Sequence, residues 1–128
     1  MKKFTLAATK LEWVGRVITV LVGLPLIPSG IFKIMGSPEV VEGMAHLGLP
    51  SSLMMPLGIL ELGCLVIYLI PHTAILGAVL LTGYFGGAIC THLRLGEPII
   101  VQTLLGVMAW GALYLREPRL RVLLPFRK

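Results

Sequence analysis

The chain has 128 residues, of which 56% are apolar and only 13% charged, with 11 Lys and Arg against 6 acidic residues that are all glutamate. A soluble domain carries about 25% charge, and a mean hydropathy of +0.92 is too apolar for a fold that faces water on every side. Disordered, collagen-like and disulfide-scaffold classes are excluded, and the composition points to a single membrane domain over residues 1–128.

Four stretches are expected to span: 13–32, 51–70, 73–91 and 98–115, which between them hold only Arg16 and Glu61 as charges. Charge is segregated in this way when helices of about 20 residues cross a hydrocarbon layer about 30 Å thick. The apolar runs are continuous, without the alternation of lipid-exposed strands. The expected fold class is therefore all-α, a four-helix transmembrane bundle.

In the first span, Lys2 and Lys3 precede the apolar run as they would in a signal peptide. The run is too long for a signal core and lacks a small-x-small cleavage site, so it is read as a retained helix. Pro25 and Pro28 are expected to kink it, because each lacks an amide hydrogen and crowds the carbonyl four residues earlier. Arg16, four residues after Glu12, is read as snorkelling to the boundary. Between the first two spans, Ser37, Pro38 and Glu39 have the pattern of an N-cap, a first-turn proline and an acid at the positive helix end. Val40, Val41, Met44 and Leu47 share one face, with Glu39, Glu42 and His46 on the other, and Gly48 and Pro50 supply the stop. A short amphipathic helix lying on the membrane surface is expected there.

The second span carries Glu61, about 15 Å below its outer end at 1.5 Å per residue. A carboxylate near the bilayer centre costs several kcal/mol unless it is paired or protonated, so it is expected to face the bundle interior. At matching depth lie Thr82 and Tyr84 of the third span and Trp110 of the fourth, with Ser29 and Gln102 nearer the outer side. These six form the candidate pocket, read either as a proton- or ligand-handling site or as a polar latch between helices. Pro71 and His72 make the second connection so short that spans two and three must be antiparallel neighbours. In the third span, Tyr84, Gly87 and Thr91 share a face, and the glycines from Gly83 to Gly87 are read first as close helix packing.

The outer boundary collects a candidate rim of Lys33, His46, His92 and Arg94, read chiefly as snorkelling boundary residues and secondarily as the mouth of a site for an anionic or amphipathic molecule. No metal is expected, since His46 and His92 belong to no ligand motif of known spacing. No haem is expected either, because no two histidines meet at mid-membrane. Cys64 and Cys90 lie more than about 15 Å apart in depth, which excludes a working dithiol. The C-terminal tail, with Arg119, Arg121 and Arg127 among apolar residues, suits a headgroup region. Nine basic residues lie at the end shared by both termini against Lys33 and Arg94 at the other, so the positive-inside rule places both termini in the cytoplasm. The net charge of +5 is read as attraction to anionic lipid, not nucleic acid.

Several of these segments together resemble a known family. Ser29 to Lys33, Pro38 to Glu42 with His46 to Gly48, Gly58 to Leu62, and Thr82 to Ala88 running on to Thr91 to Arg94 are similar to the DoxX-like family of small bacterial integral membrane proteins. The resemblance implies a four-helix membrane bundle. It also implies an association with quinone-linked redox complexes, either through binding a lipophilic, quinone-like molecule or as an accessory subunit beside a membrane redox partner. Two other classes follow from the residues alone: a small proton-coupled permease that would need to homo-oligomerise to enclose a path, and a packing protein with no ligand.

Overall fold

A computed structural model describes residues 6–125 of the chain. Lys2, Lys3, Arg127 and Lys128 of the charge count, and Phe126 of the tail, lie outside the described residues. Six helices follow one another: α1 (Leu6–Met35), α2 (Pro38–His46), α3 (Met54–Leu69), α4 (Ala74–Leu93), α5 (Ile100–Arg116) and α6 (Pro118–Leu123). One-turn 3-10 segments at Ser51–Leu53 and Pro71–Thr73 lead into α3 and α4.

Among the described residues, three stretches are long and apolar enough to cross a membrane: Lys10–Met35, Ser51–Leu69 and Pro71–Leu93. The fourth expected span is shorter than the others. α5 has 17 residues, about 25 Å at 1.5 Å per residue, because Pro98 stays outside the helix and Ile99, at φ −119° and ψ 16°, begins it. α1 is longer than expected and runs through Pro25 and Pro28 without a break. Both prolines lie on its exposed face, where the missing amides leave the carbonyls of Leu21 and Leu24 without their usual donors.

α1 packs on α3 and α5, α3 packs on α4, and α4 packs on α5, so the four long helices close into a ring. The centre is filled by Val22, Leu65, Tyr68, Leu81, Phe85 and Leu113. Outward, the same helices expose Val20, Leu24, Ile59, Val79 and Val107 by more than half, a surface suited to hydrocarbon and not to water. Lipid tails are as apolar as leucine, so burial drives such helices together only weakly and close contact must do so instead. Gly77 shows how. A Cβ there would run into the backbone of Tyr68, so α3 and α4 touch main chain to main chain. The Tyr68 hydroxyl then donates to the Ala109 carbonyl at 2.7 Å and ties α3 to α5.

The two ends differ. At one, the start of α1, the turn between α3 and α4 and the end of α5 meet around a cleft lined by Glu12, Arg16, Pro71, Arg116 and Glu117. At the other, α2 is fastened across the opening. His46 Nε2 pairs with Glu97 Oε2 at 2.5 Å, and an Arg94 Nη donates to the Leu47 carbonyl. α2 begins at Ser37 with Pro38 in its first turn, as the sequence implied. The Ser37 hydroxyl does not cap the backbone, however; it donates to Glu39 Oε2 at 2.5 Å. The helix stops where Leu49 N–H reaches the Met44 carbonyl at 2.9 Å, a closure that needs the positive φ of +77° at Gly48. Met44 is buried beneath it, while Glu39, Glu42 and His46 are exposed.

Candidate functional site

The deep acid is positioned by backbone contact between α1 and α3. One turn before Glu61, a Cβ on Gly58 would lie 2.8 Å from the Gly30 carbonyl oxygen and 3.0 Å from the Lys33 Cβ. With no side chains between them, the two helices approach closely enough for Glu61 to reach Ser29 and Lys33, which sit one turn apart on the same face of α1. Lys33 Nζ donates to Ser29 Oγ at 2.8 Å and to Glu61 Oε1 at 2.9 Å. Tyr84 of α4 donates its hydroxyl to the same oxygen at 2.6 Å, and Ser29 Oγ approaches it at 3.4 Å. Three helices therefore converge on Oε1. Glu61 is 1% exposed and Lys33 18%, so the pair is shielded on the acid's side and close to the surface on the cation's. A lone charge at this depth would be expelled or neutralised; an ion pair with two further donors on Oε1 is tolerated because its net charge is zero.

One atom stands outside this network. Glu61 Oε2 is buried and has no hydrogen-bond partner. A carboxylate has about four lone-pair sites, and here every protein donor goes to one of its two oxygens.

Next to the network lies a cavity of about 380 Å³, lined by Lys33 and Tyr84 and, for the most part, by apolar side chains including Leu47, Leu53, Leu57 and Leu60. Met44 of α2 also lines it. Gly83 and Gly87 contribute to its wall, and a Cβ on either would meet nothing within 4 Å. The volume falls in the range of small-molecule sites, about 300–1,000 Å³, and the lining has their usual character: apolar walls with a few fixed polar groups. Among the described residues, Lys33 Nζ makes two hydrogen bonds, so one of its three N–H donors remains for a ligand. The Tyr84 oxygen, having donated its proton to Glu61, still accepts. A second cavity of about 300 Å³, lined by Val40, His46 and Glu97, shares Lys33, Met44, Leu47 and His92 with the first.

The six residues of the expected pocket separate into two groups. Ser29, Glu61 and Tyr84 meet as described. Thr82 and Trp110 do not reach Glu61: the Trp110 indole N–H donates to Thr82 Oγ1 at 2.7 Å, and the Thr82 hydroxyl donates to the Ala78 carbonyl at 2.7 Å. The reason is helical geometry. Thr82 and Tyr84 are two residues apart, about 200° around the helix, so they face opposite sides of α4. Gln102 lies near His92 Nδ1, at 3.4 Å, and with Thr82 and Trp110 lines a separate groove between α4 and α5.

Of the expected rim, His46 and Arg94 hold α2 and His92 Nδ1 bonds the Ala88 carbonyl at 2.8 Å. Lys33 belongs instead to the centre of the site. Snorkelling, the usual behaviour of a lysine at a helix end, concealed this role; the pairing of Ser29 with Lys33 at helical spacing beside Gly30 was the signal that could have shown it. Glu39, exposed on α2, has its carboxyl held below the usual range by the Ser37 hydroxyl and by its own backbone amide. Among the described residues, no group of three His, Cys, Asp or Glu side chains could hold a metal ion. Cys64 and Cys90 are both free thiols, the first buried and the second exposed.

Apolar exterior, membrane-length helices and a neutralised ion pair packed among three of them define an all-helical membrane protein with a polar centre. The chain belongs to the DoxX-like family, whose profile matches residues 17–114 and so takes in α3, α4 and most of α1 and α5. No curated protein and no solved structure matches it.

Proposed function

We propose that this chain is a four-span protein of the bacterial inner membrane, with both termini cytoplasmic, that binds a lipophilic molecule with a hydrogen-bonding head beside Lys33 and Tyr84. A quinone or quinol is the ligand class that fits. In this reading α5 is the fourth span, since 17 residues is the lower limit of the crossing range. α2 lies in the interface above the cavity, and the basic residues Lys10, Arg16, Arg116, Arg119 and Arg121 lie at the terminal end against Lys33 and Arg94 at the other. Family membership adds the prospect of an accessory role beside a membrane redox complex, an argument by analogy.

One observation carries the reading: a cavity of about 380 Å³, apolar along its walls, has at one end an ammonium with an unused N–H and a phenol oxygen with unused lone pairs. A carbonyl accepts from Lys33 and a ring hydroxyl donates to Tyr84. The ion pair behind them has no net charge, which favours a neutral head over an anion. Glu61 does not line the cavity; it is a positioning residue that orients both groups.

Purified protein titrated with a short-chain benzoquinone in mild detergent, followed by calorimetry, tests this. Gly87→Leu projects a side chain into the cavity from a position where a Cβ meets nothing within 4 Å, so it is expected to abolish binding with helicity and melting unchanged. Absence of binding in the unaltered protein, or unaltered binding in Gly87→Leu, refutes the reading. The second reading, a ligand-free packing protein, draws support from the convergence of α1, α3 and α4 on Oε1; it predicts that Gly87→Leu has no effect on any ligand.

A further inference from the structure

On the opposite face of α4 from the ion pair, a groove of about 670 Å³ runs between α4 and α5. It is independent of the cavity described above and of the function proposed for it. Along α5 its lining extends from Gln102 to Tyr114, about 18 Å at 1.5 Å per residue. Phe85 and Gly106 line its middle, and Leu124 and Pro125, beyond α6, line its end. Trp110 donates to Thr82 and Thr82 to the Ala78 carbonyl, which leaves Gln102, Thr103 and Tyr114 as the other polar side chains of a lining that is otherwise apolar. Gly86 and Gly111 leave it open, since a Cβ on either would meet nothing within 4 Å.

The end of the groove at Tyr114 and Leu124 is the basic end of the molecule. Arg121 Nε donates to the Tyr114 carbonyl at 2.8 Å and an Arg121 Nη to the Leu115 carbonyl at 3.2 Å, which fixes the guanidinium beside that end. Two of its five N–H donors are used, and the rest are available to an oxygen acceptor. Arg119, two residues away and so about 200° around α6, pairs its Nε with Glu117 Oε1 at 3.2 Å instead.

We propose that this groove is a binding site for one acyl chain of an anionic phospholipid, whose phosphate is held by Arg121 at the α6 end. Three features select this occupant. The groove's length is close to the hydrocarbon depth of a single leaflet, half of about 30 Å. The charge lies at the end where a headgroup would be, and cationic side chains near the membrane surface attract anionic lipid. A second copy of the chain seated on the same face in the same orientation would bring two basic α6 segments together.

Trp110 lines the groove and Trp13 lies apart from it, so Trp13→Phe leaves a single fluorophore inside the site. The full chain carrying that change is reconstituted in phosphatidylcholine bilayers, and quenching is compared for phosphatidylglycerol and phosphatidylcholine with brominated acyl chains. The anionic lipid is expected to quench at a mole fraction about fivefold lower, the preference that one arginine near the surface provides. Gly111→Leu, which projects a side chain into the groove from a position where a Cβ meets nothing within 4 Å, is expected to bring that ratio to about one with helicity retained, and Arg121→Gln to reduce it. Equal quenching by the two lipids overturns the proposal, as does a ratio untouched by Gly111→Leu. Shielding of Trp110 from both lipids in a protein that sediments as a dimer overturns it in favour of a second copy.

Discussion

Removing Lys33 tests the central ion pair most directly. In Lys33→Met, Glu61 keeps its place, 1% exposed, and loses the cation 2.9 Å from Oε1, while Ser29 loses the donor at 2.8 Å. Breaking a buried pair by removing one partner costs about 3–5 kcal/mol, because the remaining charge cannot reach water. Glu61→Gln is not the mirror image. Lys33 is 18% exposed, and once released its flexible stem can carry the ammonium to the boundary. That substitution loses a charge-assisted hydrogen bond or two at about 1.5–3 kcal/mol in all, and the amide still bonds Tyr84. The expected order is therefore Lys33→Met well below Glu61→Gln, with the double variant less destabilised than the sum by about 2 kcal/mol. Reversible unfolding of reconstituted protein with a denaturing detergent, followed by far-UV circular dichroism, measures all three. If Lys33→Met is no worse than Glu61→Gln, or the two effects simply add, the pair is not coupled and the physical account of the site fails.

Other expectations follow from single contacts. Tyr84→Phe removes only the 2.6 Å bond to Glu61 Oε1 and is expected to cost about 1.5–3 kcal/mol in the same unfolding assay, without loss of helix. Gly58→Ala places a methyl 2.8 Å from the Gly30 carbonyl, so α1 and α3 must part; a cross-link between cysteines placed on those two helices should form more slowly than in the unaltered chain. Ser37→Ala should raise the Glu39 titration toward the ordinary carboxylate range, read by NMR. Because the folded-state value is depressed, the contribution of Glu39 to α2 is present at neutral pH and lost as pH falls through that value. Glu97→Gln, which removes the acid bonded to His46, should speed amide exchange in α2 while leaving α4 protected.

Much of the site was legible only in part from the residues. Glu61 announced itself, since a lone acid among apolar residues has few explanations, and Tyr84 followed from depth and from the face it shares with Gly87 and Thr91. Thr82 and Trp110 were placed at the right depth but on the wrong side: depth is a property of one coordinate along the helix, whereas contact depends also on rotation about it. Lys33 was assigned to the boundary because snorkelling describes an average lysine, and nothing local says which way a side chain at a helix end will bend.

Solvent and helicity were decided by the chain alone. Apolar runs long enough to cross hydrocarbon, with Arg16 and Glu61 as their only charges, allow hardly any structure but helices, because each backbone group must bond within its own segment where water is absent. The order of the elements, the turn at Gly48 and the depth of Glu61 follow from the same local rules. Beyond the α3–α4 pairing that the short turn at Pro71 and His72 imposes, which helix faces which was decided only in three dimensions. In lipid the apolar faces are nearly interchangeable, so partners are selected by where main chains can touch, as at Gly58 against Gly30 and Gly77 against Tyr68. Those contacts, made between residues on different helices, are what bring an ammonium, a carboxylate and a phenol to a single point.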